Sequence, residues 1–370
     1  MSERDGREDV LKAIREVFEK DTWWMYTNDS VREFERRFAR AHDCAHGVSV
    51  CNGTVAVDVV LRALGVGPGD KVLLPAFNFY SLPKSVENVG ATPVFVDVNA
   101  DNPTISAEEA RAAIDPAVKA VVAVHIAGAV AELDKLSDIC RDANVALVED
   151  CAQATGAEYG GKHVGSWGVA SVFSFGGVKL MTSGQGGMVT TSDPDIYEKV
   201  FAIVHRGSSP SGGVNRFGIV GDNYMMSVLA AATLQPQLDL LPAMCEKREL
   251  MMRFLDREIK KIDGLHPLRQ FGPVRSRTQM RYAFSCKRGG ANGEGTTEFV
   301  RIAKEKGVPL DARFYRTVTN DERLFRKYSA KRAFPMAKRA EDEIVGIWHW
   351  DVMKGVEYWS KALEYLHQAA

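Results

Sequence analysis

Several absences narrow the chain before any motif is considered. No stretch approaches the roughly 20 consecutive apolar residues that a bilayer span needs. The amino terminus, MSERDGREDVLKAIREVFEKD, is charged where a signal peptide would be apolar, so a cytoplasmic protein is expected. Cysteine is scarce. The six thiols, Cys44, Cys51, Cys140, Cys151, Cys245 and Cys286, are scattered with no CxxC pair, which argues against a zinc site and against a disulfide framework. Neither charge is in excess: 47 Lys and Arg stand against 48 Asp and Glu, a formal net charge of -1, so nothing favours a nucleic-acid partner. Internal repeats and low-complexity tracts are also missing.

The 370 residues are too many for one minimal core and suit two domains, expected over 1–240 and 241–370. From about residue 70 to 190, short β-branched runs alternate with helix-like segments. KVLLPAF (from Lys71), TPVFVDV (from Thr92), AVVAVHI (from Ala120), VALVED (from Val145) and ASVFSF (from Ala170) read as strands buried on both faces, with GGMVTT (from Gly186) as one more. Such an alternation predicts an α/β domain with a mostly parallel sheet, which gathers ligands at the carboxyl ends of its strands. RGSSPSGGVNRFGIVGDN, from Arg206, reads as a long loop, then MMSVLAAATLQPQLDLL as a helix. Charged helices and a few strand-like pieces such as QMRYAFSCKR suit a smaller α+β domain beyond residue 240.

Four segments carry candidate chemistry. In FSFGGVKLMTSGQGG, from Phe173, a strand ends, two glycines turn the chain, and Lys179 is presented among small and apolar residues. A desolvated lysine loses its charge more easily, and the neutral amine attacks carbonyls. The segment alone reads equally well as a surface lysine in a Gly-rich hairpin. In VALVEDCAQATGA, Asp150 ends a buried strand, where a carboxylate needs a cationic partner such as a protonated pyridine, or else caps the helix that follows. Gln153 is placed to face the same site. In VSVCNGTVAVDVVLRAL, Asn52, Gly53 and Thr54 open an amphipathic helix whose first amides attract phosphate; plain N-capping is the alternative. Ser174, five residues before Lys179, could join them. In PAFNFYS, three aromatics crowd a strand end, and Phe79 could stack on a flat ring where Phe77 and Tyr80 read as core.

The order and spacing of these pieces resemble the DegT/DnrJ/EryC1/StrS family of pyridoxal-phosphate sugar and cyclitol aminotransferases over nearly the whole chain. The Gly-Thr loop, the PxFxF-like strand end, VEDxAQAxGA, FSFxxxK and TxGxGGM all occur, in order. The resemblance implies pyridoxal 5'-phosphate as cofactor, Lys179 as Schiff-base lysine and proton carrier, and Asp150 against the pyridine nitrogen. It further implies Gln153 near the ring hydroxyl, Phe79 on the ring, Gly53, Thr54 and Ser174 at the phosphate, and Asn223 of GDNYMMS reaching the neighbouring subunit's phosphate. The implied fold is fold type I, the aspartate-aminotransferase type: a seven-stranded, mostly parallel sheet in the large domain, a small carboxyl-terminal domain, and a homodimer with shared active sites. His349, in IWHWD, matches a motif to which no role is assigned.

Three departures bear on substrate. Gln185 stands where the family has Glu, Met225 where it has Arg, and Ala127 where a large aromatic is usual, so a wider or differently filled pocket is expected. KLMTSG and, from Phe314, FYRTVTNDERLF resemble the cyclitol and aminohydroxybenzoate branch. Candidate substrate groups are His125, Arg206, Arg216, Arg313 and Tyr315; an arginine takes a carboxylate bidentately, with solvated surface charge as the plain alternative. The expected reaction is transfer of an amino group from glutamine or glutamate to a ketosugar or ketocyclitol. An aromatising lyase of the 3-amino-5-hydroxybenzoate synthase type and a cofactor-binding regulator are the rivals.

Overall fold

In the computed structural model, which describes residues 6–26, 28–277, 280–288, 293–315, 317 and 332–369, the central element is a seven-stranded sheet. Across it the strands run His46–Val50, Gly187–Thr191, Ala170–Ser174, Ala146–Asp150, Val118–Val124, Lys71–Pro75 and Thr92–Val96. Gly187–Thr191 is antiparallel to both neighbours, and every other adjacent pair is parallel. The six strands anticipated from β-branched runs are all present, shifted by a few residues at their ends. The strand His46–Val50 was not anticipated; with a single Gly and two Val it carries too little pattern to be read alone.

Burial on both faces explains the near-continuous apolar runs. Along the strands alternate residues enter two different cores: Val72, Leu74, Val122, Val148 and Val172 pack on the side of the helix Gly53–Ala63, while Leu73, Val121, Leu147, Phe173 and Met188 pack on the opposite side. Each such side chain contributes about 1.5–3 kcal/mol relative to exposure, which offsets the cost of ordering the strands.

A smaller four-stranded sheet orders Leu265–Pro267, Arg281–Cys286, Ile344–Trp348 and Asp311–Ala312, all antiparallel. It packs under the helices Glu294–Glu305 and Val356–Ala369 around Phe284, Trp359 and Leu363. One 32-residue helix, Val228–Ile259, joins the two parts. The expected boundary at 240/241 falls inside it, and its buried face passes from the second core at Cys245 to the third at Met251. Pro236 and Pro242 do not divide this helix as two separate segments; its buried face, with Leu234, Leu238, Leu241 and Cys245, continues across both positions and outweighs the local loss of hydrogen bonds.

No helix among the described residues is long and apolar enough to cross a membrane.

Candidate active site at the carboxyl edge of the sheet

Parallel strands bring their carboxyl ends to one edge, so Val50, Pro75, Val124, Asp150 and Ser174 end together, with Gly187 starting its antiparallel strand there. The four chemistry-bearing segments are thereby collected. In Phe-Ser-Phe the alternation of the strand sends Phe173 and Phe175 into the second core, where they pack edge-on against Phe38 at 4.9 and 5.3 Å. Ser174, between them, therefore faces the helix Gly53–Ala63.

That helix starts in close contact with the strand. A Cβ on Gly53 would come within 2.8 Å of Ser174 Cβ, and one on Gly187 within 2.7 Å of the Asn52 carbonyl carbon, so neither position admits a side chain without movement. Asn52 is extended and caps the helix, its Oδ1 accepting from the Val55 amide at 2.9 Å. The first-turn amides of a helix have no intrahelical partner. With Val55 taken by the cap, Gly53 and Thr54 present theirs beside Ser174, at the positive end of the helix dipole.

Asp150 and Lys179 lie close enough to act on one another. Burial pushes the Asp150 carboxyl above its ordinary value, against the pull of the Ala152 amide, Lys179 and His125; the Ala152 bond is 3.0 Å. Burial likewise lowers Lys179, opposed by Asp150. The lysine sits in a tight turn, its own amide donating to Gly176 O at 2.9 Å. Thr182 anchors the far side of this loop through mutual bonds with Gln237, at 2.9 and 2.8 Å.

Gln153 is buried, and its Oε1 has no partner among the described residues. Tyr315 lies against it: the Gln153 amide, Arg281 and Asp150 all act on the phenol, which burial raises far above its ordinary value. Tyr315 also packs edge-on against Phe77 at 5.9 Å. Phe79 is 46% exposed, tilted against Tyr80 at 4.3 Å, so one face of the pair is open. The set fits pyridoxal phosphate: amides and a hydroxyl for the phosphate, a buried carboxyl for the ring nitrogen, an unsatisfied acceptor for the ring hydroxyl, an open aromatic, and an amine of lowered basicity.

The substrate candidates separate. His125 is fully buried, with Nε2 3.3 Å from Glu149 and Nδ1 accepting from the Ala131 amide at 3.2 Å. It is buried just past the end of its strand and not presented to a substrate, contrary to expectation; its backbone amide donates to Asp150 O at 3.1 Å, and its field acts on the Asp150 carboxyl. Arg313 has a left-handed backbone, φ 53°, and turns its guanidinium to Glu341 at 3.3 Å. Arg216 is held on the surface by Asp195 and, at 2.7 Å, Glu198. Arg206 is exposed in a left-handed turn, its amide bonded to Asp222 O. Asn223 is exposed, its backbone bridged to that of His205. Of the tentative substrate group, Tyr315 alone meets the cluster.

Ala127 lines the same core as Tyr315. It is fully buried at φ 57° within the first core, which also contains Met280, Ala283 and Tyr315. Met225 is partly buried under the Tyr26 hydroxyl, and Gln185 is exposed. Most of the FYRTVTNDERLF segment lies outside the described residues. The sequence reading overlooked Glu149, whose neighbour Asp150 drew the attention; strand alternation was the available signal, since adjacent acids must face opposite sides. The buried group His125, Glu149 and Cys151 has the composition of a metal site, but Glu149 already accepts three amides and faces His125.

A surface cavity between the helix Arg7–Glu19 and the long helix is lined by residues including Lys12, Glu16, Arg37 and Asp239 and shares no residue with this cluster. It pairs charges of both signs and gathers no convergent catalytic set.

A family model described as the DegT/DnrJ/EryC1/StrS aminotransferase family matches residues 4–358. The chain is 36% identical over 322 residues to a 3-amino-5-hydroxybenzoate synthase of Amycolatopsis mediterranei, covering 85% of this chain and 80% of that protein. It is 32% identical over 316 residues to an L-glutamine:2-deoxy-scyllo-inosose aminotransferase of Streptomyces kanamyceticus, covering 81% and 74%. Among solved structures, that of a 3-amino-5-hydroxybenzoic acid synthase aligns with a TM-score of 0.88 at 30% identity, over 98% of this chain and 96% of that one.

Proposed function

Since the chain belongs to the DegT/DnrJ/EryC1/StrS aminotransferase family, whose members are pyridoxal-phosphate enzymes, we propose that it moves an amino group from glutamine or glutamate to a ketosugar or ketocyclitol in specialised biosynthesis. The observation that carries this reading is the meeting of Lys179 and Asp150 at the edge where Gly53 and Ser174 touch. Pyridoxal phosphate, when bound, supplies a carbonyl for amines and a ring that accepts the electrons released at the amine-bearing carbon.

The chain's residues do the rest. The Gly53 and Thr54 amides and the Ser174 hydroxyl would hold the phosphate. Asp150, whose burial disfavours a lone charge, keeps its carboxylate when a protonated ring nitrogen stands beside it, and so holds that proton in place. Gln153 Oε1, left without a partner among the described residues, would accept from the ring hydroxyl, and the exposed Phe79 would pack on the ring. Lys179 Nζ, made less basic by burial, would take the proton from the donor's amine-bearing carbon and deliver it to the cofactor's carbonyl carbon on the far side of the transferred nitrogen. The same steps in reverse serve the acceptor, so donor and acceptor take turns in ping-pong order.

The relatives named above support the cyclitol class and glutamine as donor. A second reading is favoured by the likeness to 3-amino-5-hydroxybenzoate synthase in both sequence and fold: an aromatising reaction on an aminodehydroquinate-type substrate, which would use the same lysine. A homodimer is supported by the aromatics that the amino-terminal arm exposes, Phe18, Trp23, Trp24 and Tyr26, and by the exposed Asn223. A cytoplasmic location is supported by the six free cysteines.

A screen of ketosugars and ketocyclitols against glutamine and glutamate, read by mass spectrometry, should yield an amine from at least one acceptor. New aromatic absorbance with the aminodehydroquinate-type substrate, and no amine from any ketone, would favour the second reading.

A further inference from the structure

Glu341, 3% exposed, lies on the helix Pro335–Glu343, which bridges the large and small sheets. The helix has no cap of its own, since Phe334 at its N-cap position gives no side-chain bond. Asp97, just past the large-sheet strand Thr92–Val96, takes its first amides instead: Oδ2 accepts from Met336 at 3.0 Å and Oδ1 from Ala337 at 2.8 Å. Near the other end, the Glu341 carboxylate accepts the amide and the hydroxyl of Thr317, at 2.9 and 3.0 Å, and the Arg313 guanidinium at 3.3 Å. The helix thus ties the carboxyl edge of the large sheet to residues on both sides of Tyr315.

Tyr315 is reached through a forced turn. The edge strand Asp311–Ala312 pairs with Ile344–Trp348 and stops at Arg313, whose φ of 53° is strained for a residue with a side chain and persists only where neighbours fix it. Phe314 then lies over the Arg281 guanidinium at 4.6 Å, in room that Gly346 leaves; a Cβ there would come within 2.6 Å of the ring. Tyr315 packs edge-on against Phe314 at 5.0 Å and Phe77 at 5.9 Å. Thr317 makes an antiparallel bridge to Phe77, which follows the strand Lys71–Pro75, so the catalytic edge is met by Tyr315 and Thr317 together.

We propose that Glu341 is a positioning residue for the amino acceptor: by gripping Arg313 before Tyr315 and Thr317 after it, the carboxylate holds the phenol where the acceptor docks. The proposal rests on the aminotransferase reading. Chemistry separates the acceptor from the donor. A ketosugar or ketocyclitol carries hydroxyls, and a phenol both donates to and accepts from them. The carboxylate of glutamine or glutamate calls for a cation, which Tyr315 does not supply. Loosening the grip should therefore weaken the acceptor step and spare the donor step.

The test splits the reaction in two. Conversion of the bound cofactor by glutamine alone, followed by its visible absorption, reports the donor half. Steady-state kcat/KM for the ketone that wild type aminates best among those screened reports the acceptor half. In Glu341→Ala the acceptor half should fall about 10–100-fold, mainly through KM, as for a group misplaced by about an ångström, while the donor half stays within about twofold. Glu341→Gln keeps an acceptor for Thr317 and should recover most of the loss. Calorimetry, with no turnover, should show the amine product binding about tenfold more weakly to the Ala variant. An equal loss in both halves, no loss in either, or unchanged product binding overturns the inference. Should Glu341→Ala fold poorly, Tyr315→Phe decides: a loss confined to the acceptor half supports the role, and acceptor kinetics like those of wild type refute it. A wild type that responds to glutamine yet aminates no ketone would instead overturn the proposed acceptor class, and with it this inference.

Discussion

Glu149 and Asp150 close the same strand and turn to opposite sides of the sheet. Glu149 is fully buried and receives the amides of Gly165 at 2.8 Å, Trp167 at 2.8 Å and Gly168 at 2.9 Å, with His125 Nε2 at 3.3 Å. Asp150 accepts one amide, that of Ala152, and otherwise faces Lys179. The first carboxylate is fully provided for within the fold and braces the Gly165–Gly168 loop against the strand. The second is left with unmet capacity at the sheet edge. Adjacent acids of equal chemistry are thus sorted into structure and function by how many donors surround them.

The largest effect should come from the functional side. Lys179→Ala should lower turnover by at least about 10⁴-fold, the upper range for a proton-transfer group; product formation over hours by mass spectrometry checks this. Asp150→Asn should cost about 10³-fold in kcat, while the melting temperature of the cofactor-free protein stays level or rises, because a buried carboxyl that resists ionising is replaced by a neutral amide.

Glu149→Ala should do the reverse. Urea unfolding should show a loss of about 3–5 kcal/mol, as when one partner of a buried charged network is removed. If Glu149→Ala left stability intact, or Asp150→Asn collapsed it, the contrast between the two acids would be broken.

Two smaller tests extend the contrast to pH. His42 and His205 are held neutral by burial, at about 4 and about 3 against an ordinary 6.5. Because the unfolded chain takes up protons first, their contribution to stability is complete above 6.5 and is lost as pH falls toward 4, so the urea midpoint should drop between pH 7 and pH 5. Glu35 runs the other way. Burial raises it to about 7 from 4.5, so its favourable share is present below 4.5 and fades as pH rises through 7. Glu35→Gln should therefore remove a loss of stability, on the order of a few kcal/mol, that otherwise accrues between about pH 4.5 and pH 7, keeping an acceptor for Ser49.

The sheet was legible because strands buried on both faces carry unbroken apolar runs. Only His46–Val50, short and glycine-containing, escaped. Lys179, Asp150, Gln153, Gly53, Thr54 and Ser174 were legible as a set because each stands at a strand end, in the turn that follows one, or at a helix start, positions that parallel topology brings together. The substrate side was not. His125 and Arg313 look available in sequence, yet Glu149 and the Ala131 amide take the one and Glu341 the other. Which way a side chain turns on a loop depends on partners tens or hundreds of residues away, and the Arg248–His349 contact, spanning two elements, has no local signal at all.

The claim most exposed to a single result is that Lys179 holds the cofactor. Borohydride reduction of the yellow holoenzyme, digestion and mass spectrometry should place one pyridoxyl group on the peptide containing Lys179. A label on another lysine, or none in a protein that still carries out amino transfer, would contradict the account.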